Sequence, residues 1–508
     1  MNKLNVTLKK TFDRLISGFL PSILCLIAYF AYSFWNILVC KNNGDIDINS
    51  KVTLAIFETY IGVTSVALFF ESNPIKNKRL IRPLVEAACV AISWYVAFCM
   101  SSSINWMYIL GLFLSFTYSP YIFKKNDNNL KFSTFNCGLM INSIIFMAML
   151  LLLALVIFII LIPVLSVLVG FMMNFVNGFL KPFTATPNSL LCFDFMNPLF
   201  CALFIIVVIF APLSLIIVIP SDYEKEYGTN DYYLIMQLLT KYFKIPMLGI
   251  MAVTIHIEII GCIINKTFSS ITLEQQIVLY FLSGFATYIV AFPLTKNSSI
   301  VTAYTRGFFL TTVIPSIVLF SSVLIRIDQY GYTELRYLEV LFSMFAFFAS
   351  AYFIAYKKSA LIKNIMIAAS VVCFISCIGP WNISKVCVES QIEQFKKNLA
   401  ENGILTENKF HKEVLSNVSK EEKKIIIEQV LYLANREAWQ AFFPWLYENI
   451  NGIFNNIDKS SLKFDKSSLK GVYKTTSIAN NILKDMGFKD YEHDPFNPDS
   501  CMYSDYND

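Results

Sequence analysis

The sequence predicts an all-α fold: a polytopic integral membrane helical bundle of about 11 spans, followed by a small C-terminal extramembrane helical domain. Three observations predict it. Only 15% of the 508 residues are charged while 56% are hydrophobic, and the mean hydropathy is +0.55; a soluble chain carries about a quarter charged residues. The apolar residues gather into runs of about 18 to 25, the helix length that crosses about 30 Å of hydrocarbon. From residue 384 the composition turns polar and helix-capping signals appear.

The first element is an N-terminal span. Basic residues precede an apolar stretch too long for a signal-peptide core and without a small-residue cleavage site, so the stretch is expected to be retained. Expected spans are 15–40, 52–70, 81–100, 104–123, 138–168, 197–220, 245–264, 276–294, 305–325, 337–356 and 360–379. The stretch 138–180 is too long for one upright helix; Pro163 and Gly170 permit a break. It reads as one tilted span with an interfacial helix, or as two spans.

Orientation follows from Lys and Arg in the short loops. With the N-terminus cytoplasmic, the inner segments carry about 19 Lys and Arg, among them Lys9, Lys10, Arg14, Lys78, Arg79, Arg82, Lys124, Lys131 and Lys363; the outer ones carry about 6. Two spans within 138–180 would place Lys225, Lys241 and Lys244 outside, against that bias. Residues 1–383 are therefore expected to form the membrane domain, 384–489 an extracytoplasmic helical domain and 490–508 an acidic, solvated tail, in a cell inner membrane.

In the polar region, Ser419 and Glu422 form a capping box opening a helix. ESQIEQFKKNLAENG reads as a helix stopped by Gly403, and TSIANNILKDMG as a third ending at Gly487. WQAFFPWL (439–446) reads as the core of this domain or as a surface for a partner. Cys387 and Cys501 stand where an extracytoplasmic disulfide is permitted.

The chemistry-bearing signals are few. There is no phosphate loop, GxSxG, HExxH or calcium loop, and no basic run for nucleic acid. The three histidines, His256, His411 and His493, and twelve scattered cysteines without a CxxC argue against a metal centre. No catalytic residue and no cofactor are indicated. Charges inside spans are costly and hence informative. Glu58 and Glu258 fall at similar depth and are candidates for a shared polar site; the bland alternative is that each is locally satisfied. His256 stands two residues from Glu258, about 200° around a helix, so the two cannot face one cavity. Arg82 and Glu86 are spaced for a local ion pair.

The richest polar stretch is RIDQYGYTELRY, 326–337, between two apolar runs. Gly331 suits a reversal, Thr333 an N-cap, and Glu334 the positive end of the following helix. Tyr330, Tyr332 and Tyr337 suit the interfacial aromatic belt. Arg326 and Arg336 run against the positive-inside bias, so Asp328, Glu334 and Glu339 are expected to pair with them and lock the two helices.

The R-I-x-x-Y-G-x-T-x-x-R-Y turn at Arg326, Ile327, Tyr330, Gly331, Thr333, Arg336 and Tyr337 is followed by G-P-W at Gly379–Trp381 and S-Q at Ser390 and Gln391. This order resembles a bacterial multi-pass membrane protein family catalogued as domain of unknown function 4153. The resemblance covers the second half strongly and the first half in hydropathy; Val388 and Glu389 depart from it. It implies a bacterial inner-membrane protein and supplies no activity, substrate or cofactor. The residues point to a non-catalytic envelope scaffold, sensor or partner-binding protein embedded in the lipid bilayer, its outer domain meeting an envelope protein partner. The alternatives are a transporter or proton relay using intramembrane carboxylates, and a membrane enzyme acting on an envelope or lipid-linked substrate.

Overall fold

A computed structural model describes residues 13–14, 16–32, 46–124, 129–156, 216, 219–220, 222–224, 234–265, 271–406, 409–411, 414 and 418–436. These residues are mostly helical. In chain order the helices are α1 (Ile16–Tyr32), α2 (Ile46–Ser72), α3 (Lys78–Cys99), α4 (Ser102–Tyr118), α5 (Asn129–Val156), α6 (Leu234–Leu238), α7 (Ile245–Asn265), α8 (Ile271–Ala291), α9 (Ser299–Tyr330), α10 (Glu334–Tyr356), α11 (Ile362–Ile375), α12 (Ile383–Glu401) and α13 (Lys420–Asn435). A π-helical stretch, Leu239–Lys244, joins α6 to α7. A two-residue antiparallel hairpin, Leu405–Thr406 with Lys409–Phe410, separates α12 from α13.

Six of the helical segments are long and apolar enough to cross a membrane: Lys51–Ser72, Lys78–Cys99, Met236–Asn265, Ile271–Thr295, Ser299–Tyr330 and Glu334–Tyr356. Two shorter apolar helices, Ile16–Tyr32 and Ile362–Ile375, accompany them. The expected span at 197–220, apart from isolated positions, lies outside the described residues. So do the break expected after Val156, the stretch 439–446, the helix ending at Gly487, the tail and Cys501.

The helices pack around two main apolar cores. The first takes Phe19 and Leu26 of α1, Tyr60 and Leu68 of α2, Phe116 of α4 and Cys373 of α11. The second takes Phe132 of α5, Leu248 of α7, Phe281 of α8, Phe308 and Phe309 of α9 and Phe353 of α10. Phe309 and Phe353 stack with ring centres 4.1 Å apart. Gly284 sits where Phe308 crosses: a β-carbon there would come within 2.1 Å of that ring, so the crossing requires glycine. Within the bundle, hydroxyls bond across helices, as Thr312 with Ser350 at 2.6 Å, Ser115 with Ser370 at 3.0 Å and Tyr280 with Thr311 at 2.6 Å. In hydrocarbon no water is available to satisfy them, so these pairs fix helix rotation. α3 and α7 present exposed apolar flanks, Leu80, Leu84 and Tyr95 on one, Ile250, Ile257 and Ile264 on the other. Such surface suits lipid rather than water.

Polar contacts between helix termini gather at two ends of the bundle. At one, Asn73 Nδ2 donates to the Ser119 carbonyl at 3.4 Å, Asn129 Nδ2 to that of Ala360 at 2.6 Å, and Lys363 Nζ to that of Tyr121 at 2.9 Å. At the other, the α3–α4, α9–α10 and α11–α12 junctions meet α12 and α13, which form a cap over that end.

Candidate functional site

The cap end contains the polar stretch singled out in the sequence. Thr333 adopts extended backbone and its hydroxyl accepts from the Arg336 N–H at 3.5 Å, capping α10. Gly331 closes α9 with φ +73° and ψ 178°, a conformation open to glycine alone. A β-carbon there would also meet Gln391 Nε2 at 3.0 Å and Ser390 Oγ at 3.2 Å.

Arg326 is buried on α9. Its guanidinium bonds Glu274 of α8, and reaches Glu339 Oε2 of α10 at 2.8 Å. Ser322 Oγ donates to Glu274 Oε1 at 2.5 Å. One cation thus ties three helices through two carboxylates. Arg336 lies in electrostatic range of both Glu274 and Glu339. It donates to the carbonyls of Gly331 at 2.9 Å and Tyr330 at 3.4 Å, and lies over the Tyr330 ring. Of the expected partners, Glu339 belongs to this network. Asp328 is exposed on α9, and Glu334 turns to the cap, pairing with Arg436 of α13 at 2.7 Å. Glu274 is the residue that sequence reading missed. It falls just before the expected span 276–294, yet the helix starts at Ile271 and buries it to 2% exposure. The available signal was Arg326 itself, since a buried guanidinium demands a carboxylate.

The same turn is clasped from α12. Ser390 Oγ accepts from the Tyr332 N–H at 2.9 Å. Gln391 Nε2 donates to the carbonyls of Tyr330 at 2.8 Å and Tyr332 at 3.0 Å, and Gln394 Nε2 to that of Gln329 at 2.8 Å. These bonds satisfy backbone groups that a helix end leaves without partners. Tyr337 Oη donates to the Trp381 carbonyl at 2.6 Å, and Arg436 also reaches Ser103 Oγ at 3.4 Å. Asn382 caps α12 through Ser384 and Lys385 N–H. The Ser419–Glu422 capping box closes in both directions, at 3.2 Å each way. Gly403 follows α12 with φ +68°. Cys387 is a buried free thiol whose ionisation burial opposes.

The intramembrane candidates do not come together. Glu258 of α7 accepts from Gln276 Nε2 of α8 at 3.3 Å, among the helices of the second core. His256 Nδ1 pairs with the Ala252 carbonyl one turn back at 2.7 Å. Glu58 is wholly buried within the first core, and neither of its oxygens has a hydrogen-bond partner.

The opposite end holds a second polar network. Arg14 grips Glu71 through Nε at 2.7 Å and Nη2 at 3.1 Å, and Tyr223 Oη donates to Glu71 Oε2 at 2.5 Å. Burial pushes the Tyr223 phenol up. Hydrogen bonds from Lys124 and then Lys131 hold the Glu224 carboxyl below its ordinary range. Arg82 and Glu86 form the local pair expected from their spacing, at 2.7 Å. Among the described residues, no group of three or more His, Cys, Asp or Glu is placed to hold a metal ion.

No protein-family model, curated protein or solved structure matches this chain.

Proposed function

We propose that this integral membrane protein is a non-catalytic scaffold, which carries a helical platform at the membrane surface for another envelope protein to dock on. The observation that carries the reading is the joint at 329–337. Ser390, Gln391 and Gln394 of α12 hold the α9–α10 turn through its backbone, and Arg436 of α13 holds Glu334. A cap bonded to the bundle in this way moves with it and presents one fixed surface. The polar groups nominated for chemistry are dispersed. Arg326 and Arg336 serve helix packing, while Glu258 and Glu58 belong to different cores, which counts against a transport path through both carboxylates.

The complete chain on this reading has about 11 spans in an inner membrane of bacterial type, with the N-terminus cytoplasmic and the cap outside. Support comes from the placement of charge. Arg14, Lys124, Lys131 and Lys363 gather at the end away from the cap, in the sense of the positive-inside rule. Reporter fusions at Lys76 and Glu389 are expected to report opposite sides of the membrane. Photo-crosslinking side chains at the exposed positions Lys385, Glu389 and Lys397 are expected to trap a discrete protein adduct in native membranes. Adduct-free monomer at every position, with solute uptake by proteoliposomes, would overturn the scaffold reading.

A further inference from the structure

Four charged side chains are buried among the described residues: Glu58, Glu274, Arg326 and Lys363. Glu274 and Arg326 bind one another, and Lys363 donates to two carbonyls, of Tyr121 and Lys124. Glu58 differs, with no exposure and no hydrogen bond to either oxygen. An ionised carboxylate in that state carries the full penalty of lost hydration.

The neighbouring helix supplies the explanation. α2 and α4 run parallel, and two contacts set their register. Ser65 Oγ meets the Leu112 carbonyl at 3.5 Å, and Asn73 Nδ2 meets that of Ser119 at 3.4 Å. The helices are therefore offset by 46 to 47 residues, which brings Asn105 level with Glu58. Tyr108, one turn on from Asn105 and on the same face, is within electrostatic range of Glu58, so that face looks toward it. Asn105 is buried, and its side-chain oxygen has no hydrogen-bond partner.

The register therefore sets two buried acceptors without hydrogen-bond partners, the Glu58 carboxyl and the Asn105 side-chain oxygen, at one level of the bundle. Tyr108 Oη pairs with Ser93 Oγ at 3.2 Å and Cys377 Sγ donates to the Cys373 carbonyl at 3.2 Å, while the hydroxyls of Ser22, Thr59 and Ser101 are buried without a partner and none of them bonds Glu58. Of the titratable groups on the packed elements, Tyr108 and Cys377 are in electrostatic range of Glu58; these, with Cys25 of α1 and Cys89 of α3, are uncharged when protonated. On α3, Arg82 pairs with Glu86 and also donates to the Gly18 carbonyl of α1. A flipped Asn105 amide would satisfy one carboxylate oxygen and leave the charge uncompensated. One carboxyl and one amide oxygen are also too few to replace the hydration shell of a metal cation.

We propose that Glu58 and Asn105 form a proton-binding site among the helices of the first core, the Glu58 carboxyl O–H donating to the Asn105 side-chain oxygen. The site makes the protein responsive to protons reaching the membrane interior, independently of the docking role of the cap.

Dicyclohexylcarbodiimide, which is apolar, tests this on the full chain in detergent at neutral pH. The acid O–H adds across the carbodiimide N=C bond, and the acylisourea rearranges to an N-acylurea, so the peptide retains the whole reagent mass and nothing leaves. The adduct is expected on the Glu58 peptide, with none from a water-soluble carbodiimide and none in Glu58→Gln. Infrared spectroscopy of the unmodified protein is expected to show a protonated carboxylic C=O band that shifts in D2O. Asn105→Leu should move that band to higher frequency as the acid loses its acceptor. The infrared and mapping results on the natural sequence decide the matter even where a variant fails to fold. Absence of both adduct and band would overturn the proposal, as would protection by Na⁺, which would mark a metal-ion site. A band unmoved in Asn105→Leu would remove Asn105 from it.

Discussion

Replacing Arg326 with methionine takes away the cation held between Glu274 and Glu339 while keeping the length and apolar stem of the side chain. Glu274 is 2% exposed and the Glu339 side chain 13%, so neither carboxylate recovers much water. Removing one partner of a buried pair costs about 3–5 kcal/mol, because the other charge stays buried without compensation. Here the lower part of that range applies: Ser322 still donates to Glu274, and Arg336 still attracts both carboxylates. A loss of about 3 kcal/mol is roughly 150-fold in the folding equilibrium constant. The companion variant Arg326→Met/Glu274→Leu/Glu339→Leu removes all three charges together. Apolar replacement of a complete buried ion triad is often neutral or stabilising, so this triple variant is expected to return close to the wild type. Denaturant unfolding in detergent, followed by tryptophan fluorescence, measures both. Arg326→Met within about 0.5 kcal/mol of wild type, the range of an ordinary surface substitution, would refute the locking role. So would a triple variant as unstable as the single one. Either result would free Arg326 to be a ligand-binding residue.

Gly331→Ala should destabilise by about 1–3 kcal/mol, from the φ of +73° and the close approach of Gln391, and loosen the cap in hydrogen exchange before it affects the bundle. Ser419→Ala removes one half of the capping box and should cost about 0.5–2 kcal/mol, read as faster amide exchange in the first turn of α13. Glu224 lies between Lys124 and Lys131, and its native pKa is depressed below the ordinary value of about 4.3. Its contribution is therefore fully present above that ordinary value and is lost as pH falls through the lower native one. Glu224→Gln should flatten this acid limb of the stability profile, with a loss under about 1 kcal/mol at neutral pH because the pair is solvent-screened.

The features legible in the sequence were those set by one helix's own geometry. Thr333 as an N-cap, the Ser419–Glu422 box, Gly403 after α12 and the Arg82–Glu86 pair depend on spacings of four residues or fewer. The apolar helices were legible because bilayer thickness dictates their length. Partners between helices were not legible in the same way. Glu274 meets Arg326 across 52 positions and Arg14 meets Tyr223 across 209. Such meetings depend on helix rotation and depth, which the whole packed bundle sets: Gly284 under Phe308, Phe309 against Phe353, Thr312 against Ser350. Glu58 was legible as an anomaly, but Asn105 was not, because the register that sets the two level rests on the Ser65 and Asn73 contacts between helices.

The turn motif and the Ser390–Gln391 pair, about 60 residues apart in the chain, act in a single joint. Where α9 ends and α10 begins, the carbonyls of Tyr330 and Tyr332 and the Tyr332 N–H point away from their own helices. At a membrane surface they need partners that do not depend on how deeply water penetrates. Gln391 supplies two donors and Ser390 one acceptor, from one turn of α12. That arrangement requires the approach distance that only glycine at 331 permits. Gly331, Ser390 and Gln391 therefore form one device, and changing any of them should release the cap as a unit from a bundle that stays folded on its apolar cores. A binding site for a small ligand would not require the turn's backbone groups to be consumed in this way. A fixed platform would.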